Sequence, residues 1–362
     1  MDAAMDAAIA ALAGQIRAAA AAGTTLRVRA GGSKDFYGNA PRGVPLDPRA
    51  LRGVVSYEPA ELAIAVRAGT PLSEVEATLA AHGQMLSFEP PHFGPEATIG
   101  GTVACGLAGP RRAAAGFAYG GVRDFVLGAQ LLDGRAQLLR FGGLVMKNVA
   151  GYDVARLLTG SLGALGVITE VSLKVVPRPA LELTLRFDMD EAAALAQLNR
   201  WGGQPLPLSA SAWTAGVLYV RLSGSNAALV AAVRSLGGEQ LDAPAAQQLW
   251  YGIREHLHPY FAGARPLWRL SLPSTAPPLA CEDPQLIEWG GALRWLRTEL
   301  PAAQLRALAH QLGGHATRFR DAGPREDAFT PLAAPLLAIH RRLRAQFDPD
   351  GVFDGGRLVQ GL

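Results

Sequence analysis

Three glycine-bearing stretches constrain the fold of this chain more than any other feature of its sequence: RAGGSKDFYG (29–38), EPPHFGPEATIGGTVACGLAGPRR (89–112) and GSLGALGVIT (160–169). The first follows an alternating strand pattern, LRVRA (26–30), and the third runs into the β-branched GVITEVSLKVV (166–176). Glycine lets backbone turn sharply and lets a neighbour approach the main chain without meeting a Cβ. Successive N–H groups in such turns make a concave, partially positive nest that suits anionic oxygens. Turn-making alone would account for any one of these loops. Three of them, two with adjacent glycines, point to a long ligand lying along the main chain. Two common phosphate loops are excluded, because neither G-x-G-x-x-G nor G-x-x-x-x-G-K-[ST] occurs.

The loops belong to one α/β unit covering residues 1–177. Its opening, MDAAMDAAIAALAGQIRAAAAAG, places Ile9, Leu12 and Ile16 at helical spacing, with Gly23 to close the helix. Acid precedes the apolar run and the first base is Arg17, the wrong charge order for a signal peptide. Strand LAIAV (62–66) leads to TPLSEVEATLAAHG, where Thr70 is the expected N-cap, Pro71 the first helical residue and Gly83 the stop. Strands are expected at 124–133, 137–141 and 166–176, and PRP (177–179) ends the unit. Residues 178–330 alternate strands with helices, an order that predicts an antiparallel sheet with helices on one face, related to the split βαβ motif. A helix around 332–347 and a glycine-rich tail make up 331–362.

Charge and cysteine usage exclude several function classes. The net charge is only +3, and no basic run is interleaved with aromatics, so nucleic acid is not an expected partner. Cys105 and Cys281 are the only cysteines; an intrinsic cysteine-ligated iron–sulfur cluster is excluded, and a reducing, cytoplasmic setting fits. No run of about 18 apolar residues occurs, so no membrane span is expected. All but three of the 34 basic residues are arginine, yet Lys34 sits beside the first glycine pair and Lys147 inside MKNVAGYD. A compact ammonium suits a phosphate as a point charge.

The candidate chemical groups outside the loops are few. His256 and His258 (HLH) lack a third ligand nearby, so no metal site is expected. In GGHATRFR (313–320), period-2 alternation puts His315, Thr317 and Phe319 on one strand face and Arg318 on the other. His315 or Arg318 could meet a carboxylate or a negatively charged cofactor, and these two are the weak catalytic candidates. Arg294 and Trp295 (GGALRWL) raise the same question, as do Arg111 and Arg112 beside the second loop; His92 reads as a loop side chain.

RAGGSK, EATIGGTVACGLAG and GYDVARLLTGSLGALGVITEVSLKVVP resemble the FAD-binding domain of the vanillyl-alcohol oxidase/PCMH superfamily. EPPHFGPEATIGGTVACGLAGPRR, FGGLVMKNVAGYD, IEWGGALRWL and GGHATRF extend the resemblance, over nearly the whole chain, to the FAD-binding subunits of bacterial glycolate oxidases. The resemblance implies an α+β fold. A PCMH-type FAD-binding domain of two α/β subdomains (1–177) is joined to a ferredoxin-like cap domain with an antiparallel sheet and helices (178–330), and a C-terminal helix and tail (331–362) return to the FAD domain. It implies that Gly31, Gly32, Ser33 and Lys34 wrap the FAD pyrophosphate. Thr98, Gly101 and Thr102, with Pro90 and Gly109 of the same stretch, line the ribityl and flavin region, and Ile168 lies near the adenine end.

Members that attach FAD covalently use His or Cys. Here Lys34 follows GGS where such a His would stand, and the setting of Cys105 departs from the attachment motif, so noncovalent FAD is expected. FDGGRLV resembles the family's closing F-N-P-G-K/R element with Asp354 for Asn and Gly355 for Pro, and no flavin contact is assigned to it; Arg357 is placed to neutralise Asp354 if the acid does not point elsewhere. The implied partners are a sister FAD-containing glycolate oxidase subunit and an iron–sulfur subunit, with glycolate oxidised to glyoxylate at the level of the complex. Membrane association, where it occurs, would run through those partners. Related D-2-hydroxy-acid dehydrogenases place histidines and acids in the cap; that set is not found here, so the sister subunit is expected to oxidise the acid while this chain relays electrons. Two other readings stay open: an autonomous FAD-dependent D-2-hydroxy-acid dehydrogenase, and a non-redox structural subunit with a degenerate FAD site.

Overall fold

The computed structural model describes residues 3–111, 120–143, 153–321, 323, 325 and 327–362. Lys147 and Arg112 lie outside the described residues. The first helix, Ala3–Ala22, buries Leu12, Ala13, Ile16 and Ala19 on one stripe and ends at Gly23, whose φ of 62° is the left-handed value a glycine stop supplies. That stripe packs against Leu26, Leu46, Leu51, Val167 and Phe353. Strand Leu26–Val28 pairs in parallel with Val44–Leu46, and a parallel bridge joins Leu26 to Phe353, bringing the C-terminal tail back to the start of the chain.

Next to this layer lies a five-stranded antiparallel sheet in the order Val54–Glu58, Ala63–Arg67, Val167–Lys174, Val126–Leu132, Leu138–Gly142. Its central strand, Val167–Lys174, is buried at every position but the last, Thr169, Glu170 and Ser172 included, and its β-branched Val167, Ile168, Thr169 and Val171 are what mark it as a strand in the sequence. Helices Leu72–Ala80 and Ile99–Cys105 contribute Leu72, Val75, Leu79, Ile99 and Val103 to the core with Ile64, Val66, Val171 and Leu173. Two local expectations are corrected. Pro71, not Thr70, is the N-cap of the first of these helices. The Thr70 hydroxyl instead donates to the Arg67 carbonyl (2.7 Å) and accepts from the Gly53 N–H (2.9 Å), tying down the turn before the helix. Residues Val122–Phe125 form a helical turn, so the following strand begins at Val126.

An eight-stranded sheet, antiparallel throughout, has the order Glu239–Gln240, Leu181–Asp188, Val217–Gly224, Leu208–Thr214, Gln285–Glu288, Leu293–Arg297, Leu267–Ser271, His315–Arg320. Period-2 alternation gives it two apolar faces. One face packs on helices Glu191–Gly202, Asn226–Leu236 and Ala302–Gln311 through Leu185, Leu222, Trp268 and Leu270. The other presents Ala212, Leu267, Leu286, Trp295 and Phe319 to Tyr37, Leu107 and Leu162 of the first unit and to Trp250 of helix Ala243–Arg254. Buried charge pins this junction. Arg221 holds Glu89 through two hydrogen bonds (3.0 and 2.8 Å), and Arg111 reaches Glu182 and Ser223.

Candidate functional site

The three glycine stretches converge on one cleft. It encloses about 730 Å³, partly open to solvent, and its walls come from Val28–Asp35, Glu96–Cys105 and Leu162–Ile168. Helix Ile99–Cys105 points its N-terminus into the wall, where the Thr98 hydroxyl caps it by accepting from the Gly101 N–H at 3.2 Å. The glycines have different jobs. A Cβ on Gly31 would overlap the Glu96 carbonyl, and one on Gly100 would press on Ala68 at 2.6 Å, so both permit close backbone packing. Gly32 needs its positive φ of 72°. Gly101 is different: a Cβ there would meet only the Thr98 hydroxyl, at 3.1 Å, and otherwise open cleft.

Gly31, Gly32, Ser33, Lys34, Thr98, Gly101 and Ile168 all line this cleft. Lys34 is buried, and its ammonium donates to the Ser33 hydroxyl (3.5 Å) and the His92 carbonyl (3.3 Å). Burial pulls its pKa down from the usual lysine value, with Cys105 and Glu255 opposing. Thr102 is fully buried, and its hydroxyl donates to the Thr98 carbonyl at 3.0 Å, inside the helix rather than on the wall. Pro90 is buried beside the junction, and Gly109 lines a second pocket, its carbonyl accepting from Trp289 Nε1 at 3.0 Å. Cys105 lines the cleft as a free thiol that burial pushes up in pKa against the nearby Lys34 and Arg357 cations.

Arg357 is a cleft residue to which sequence reasoning assigned no cofactor role. Its guanidinium donates to the carbonyls of Lys34 (3.1 Å) and Tyr37 (3.3 Å), bracing the first glycine loop from the returning tail. It does not neutralise Asp354, which points elsewhere and accepts from the Arg42 N–H at 2.6 Å. The signal was the FDGGRLV element itself, read for Asp354 rather than for its arginine.

The remaining candidates fall away from the cleft. His315 is exposed, and Arg318 lies over Trp268 on the opposite sheet face, ion-paired with Asp321 (3.4 Å) and Asp327 (3.6 Å). Arg294 is fully buried and donates to the carbonyls of Pro277 and Ala276 at 2.6 and 2.5 Å. His92 meets Glu76 at 2.9 Å. His256 and His258 follow helix Ala243–Arg254 rather than lying on it. His256 has a positive φ of 56° and stacks on Phe261, with ring centroids 3.9 Å apart. Among the described residues no group of three or more His, Cys, Asp or Glu side chains could hold a metal ion.

A smaller pocket of about 310 Å³ adjoins the cleft, lined by Phe93, His256, Arg269, Glu288, Trp295 and Phe319 among others. Phe93 links the two sites, since the Lys34 ammonium lies 5.9 Å from its ring centroid. Burial raises Glu288 to about 7 although Trp295 Nε1 donates to it at 2.6 Å and Arg269 is near.

The main cleft has apolar walls (Val28, Ala68, Ala104, Leu162, Ile168), glycine backbone and the cations Lys34 and Arg357. That donor set fits a dinucleotide, with N–H groups and fixed positive charge for a pyrophosphate and apolar surface for rings.

Comparison with known proteins agrees. Residues 7–142 match the family described as FAD binding domain (FAD_binding_4). The chain is 48% identical over 348 residues to the glycolate oxidase subunit GlcE of Escherichia coli, covering 96% of each. A shorter match, 40% identical over 100 residues, links 28% of the chain to 20% of the glycolate oxidase subunit GlcD of Bacillus subtilis. Another, 40% identical over 114 residues, links 31% of it to 24% of the D-lactate dehydrogenase of Archaeoglobus fulgidus. Among solved structures, an alkyldihydroxyacetonephosphate synthase superposes with a TM-score of 0.63 at 14% identity, over 94% of this chain and 74% of that one; this likeness shows the fold. Among the described residues no helix is long and apolar enough to cross a membrane.

Proposed function

The chain belongs to the family of the glycolate oxidase subunit GlcE and is an FAD-dependent oxidoreductase of PCMH-type fold, and from that premise we propose that it acts inside a glycolate oxidase complex. There it takes part in the oxidation of glycolate to glyoxylate beside a sister flavoprotein subunit and an iron–sulfur subunit. Bound FAD supplies a site that accepts a hydride and releases electrons singly. The chain's own residues bind and orient it. The Gly31–Lys34 backbone and the Lys34 charge hold the pyrophosphate, Arg357 stiffens that loop from behind, and Thr98 and Gly101 present the helix end to the ribityl and flavin. Ile168 lines the adenine end. The division that serves this role is an FAD domain of residues 1–177, a cap of residues 178–330 and a returning tail of residues 331–362. FAD is held noncovalently, because burial keeps the Cys105 thiol protonated and no other cysteine or histidine lines the cleft among the described residues.

The observation that carries this reading is the meeting of three glycine stretches, distant in sequence, around one cleft with cations at its wall. The test is reconstitution of the complex with and without flavin in this chain. Anaerobic glycolate should bleach the flavin of this chain when partners are present, and a flavin-free variant should abolish electron delivery to an artificial acceptor. Acceptor reduction at the wild-type rate with the flavin-free variant would overturn it.

A further inference from the structure

We infer that the groove behind the C-terminal tail binds a phosphate group, free or as a small phosphomonoester, on Arg42, Arg325 and Arg344, and that the bound phosphate holds the tail against the first glycine loop. The phosphate site stands without the proposed function; only its effect on FAD rests on the cofactor reading.

The groove is open, encloses about 1200 Å³ and shares no lining residue with the FAD cleft. Three arginines from distant parts of the sequence line it, against one acidic side chain, Asp354. Asp354 is already engaged, accepting from the Arg42 N–H at 2.6 Å. Arg344 is partly committed, since its Nη2 donates to the Asp348 carboxylate (3.2 Å) and to the Phe353 carbonyl (2.5 Å). The half-buried Arg325 is not: its side chain has no hydrogen bond or ion pair among the described residues, and its Nη1 is buried. Burial, with Arg357 nearby, lowers its pKa while Asp321 opposes. A guanidinium partly withdrawn from water beside other cations is stabilised by a multiply charged anion, and its planar fork fits phosphate oxygens in pairs. Three arginines against one aspartate leave an excess of positive charge that suits a phosphate dianion better than a single carboxylate.

The departures of FDGGRLV from the element it resembles serve this groove. A Cβ on Gly355 would come within 2.6 Å of Arg344 Nη1, so glycine in place of proline leaves that guanidinium room beside the tail. Asp354 in place of asparagine supplies the carboxylate that holds the Arg42 backbone.

The same groove is tied to the cofactor loop. Asn39 Nδ2 donates to the Gly356 carbonyl (2.8 Å), and the Asn39 N–H donates to the Arg357 carbonyl (3.0 Å). The Ala40 N–H donates to the Arg325 carbonyl at 2.7 Å, and Arg357 braces the carbonyls of Lys34 and Tyr37. An anion gripped by Arg42, Arg325 and Arg344 therefore fastens the tail that carries the Arg357 brace. By linkage, an anion favouring the docked tail strengthens FAD binding, and FAD strengthens anion binding by the same factor.

Calorimetric titration of the full chain with inorganic phosphate, at constant ionic strength in chloride, tests the site. Saturable binding is expected, with sulfate competing and chloride not. Arg325→Gln should weaken it roughly 10- to 100-fold, as loss of a charge-assisted hydrogen bond does, and Arg325→Lys should restore part of it. Arg42→Gln should weaken it similarly, while Arg234→Gln, on an exposed face of helix Asn226–Leu236, should not. Lys34→Gln should leave phosphate binding unchanged; loss there in place of Arg325→Gln would put the phosphate in the cofactor cleft and overturn the inference. No saturable binding in the wild type, or unchanged binding in both Arg325→Gln and Arg42→Gln, would overturn it too. Glycerol phosphate separates the two sources, since tighter binding than inorganic phosphate identifies a phosphomonoester and weaker binding the free ion. Release of FAD, followed by flavin fluorescence, should slow several-fold in saturating phosphate for the wild type and not for Arg325→Gln. A release rate independent of phosphate would overturn the link to the tail. Calorimetry reads the groove with or without flavin, so a chain that takes up no FAD counts against the cofactor reading alone. Circular dichroism of each variant confirms that a loss of binding is not a loss of fold.

Discussion

Gly31 and Glu96 touch backbone to backbone across the mouth of the cleft, so closely that a methyl group on Gly31 would overlap the Glu96 carbonyl oxygen. The first two glycine loops are therefore braced against each other before any ligand arrives. Gly31→Ala should force them apart, costing about 1–3 kcal/mol of stability, as overpacking against backbone does. Urea unfolding of the flavin-free protein measures this, and an unchanged midpoint would contradict the packing.

Gly101 should behave in the opposite way. It lies inside helix Ile99–Cys105, and a side chain there projects into the cleft past the Thr98 hydroxyl. Valine is no worse a helix residue than glycine, so Gly101→Val should change apoprotein stability by less than about 1 kcal/mol. It should nevertheless lose FAD. Absorbance at the flavin bands after purification and after reconstitution gives the answer, and stoichiometric FAD in the variant would remove Gly101 from the binding wall.

Glu89 should govern acid stability. Burial alone would raise its carboxyl, but Arg221, Arg111 and Arg254 outweigh burial and hold it at about 2, below the ordinary 4.5. Because the folded value lies below the unfolded one, the stabilisation is complete above pH 4.5 and is lost as pH falls from there towards 2; a shift of this size corresponds to about 3 kcal/mol. Glu89→Gln should flatten the acid limb of a stability–pH curve and, by leaving Arg221 buried and unpaired, lower stability at neutral pH by about 3–5 kcal/mol. An acid limb unchanged from wild type would show that the pair is not the source.

Glu288 should set the pH dependence of stability near neutrality. It faces Arg269, Trp295, Arg221 and Glu89, and burial raises it to about 7, above the ordinary 4.5. Because the folded value lies above the unfolded one, keeping this carboxyl buried favours the folded state below pH 4.5 and that advantage is lost as pH rises through 7. Glu288→Gln should flatten the fall in urea midpoint between pH 5 and 8. A variant curve that falls in parallel with the wild type would contradict it.

The glycine loops were legible in the sequence because their message is local: a turn, a close approach and an adjoining strand are all written within ten residues. The small pocket was not, because Arg269, His256 and Glu288 come from two strands and a turn brought together only by the sheet order. One signal was present. In PLWRLSLP, alternation puts Arg269 on the face of Leu267, a charge on a strand whose Leu267, Trp268 and Leu270 are buried. Thr70 shows a smaller limit: its residue type fits a cap, but the Gly53 and Arg67 backbone groups claim its hydroxyl. His315 and Arg318 were chosen for residue type on a correctly read strand, whose end carries one into solvent and whose outer face carries the other onto Trp268.

The most direct test of the cofactor cleft is the flavin released by denaturing the purified, FAD-reconstituted chain. Close to one FAD per chain is expected in the supernatant and none on the precipitated protein. A colourless protein that takes up no FAD, or flavin that stays attached to the precipitate, would contradict it.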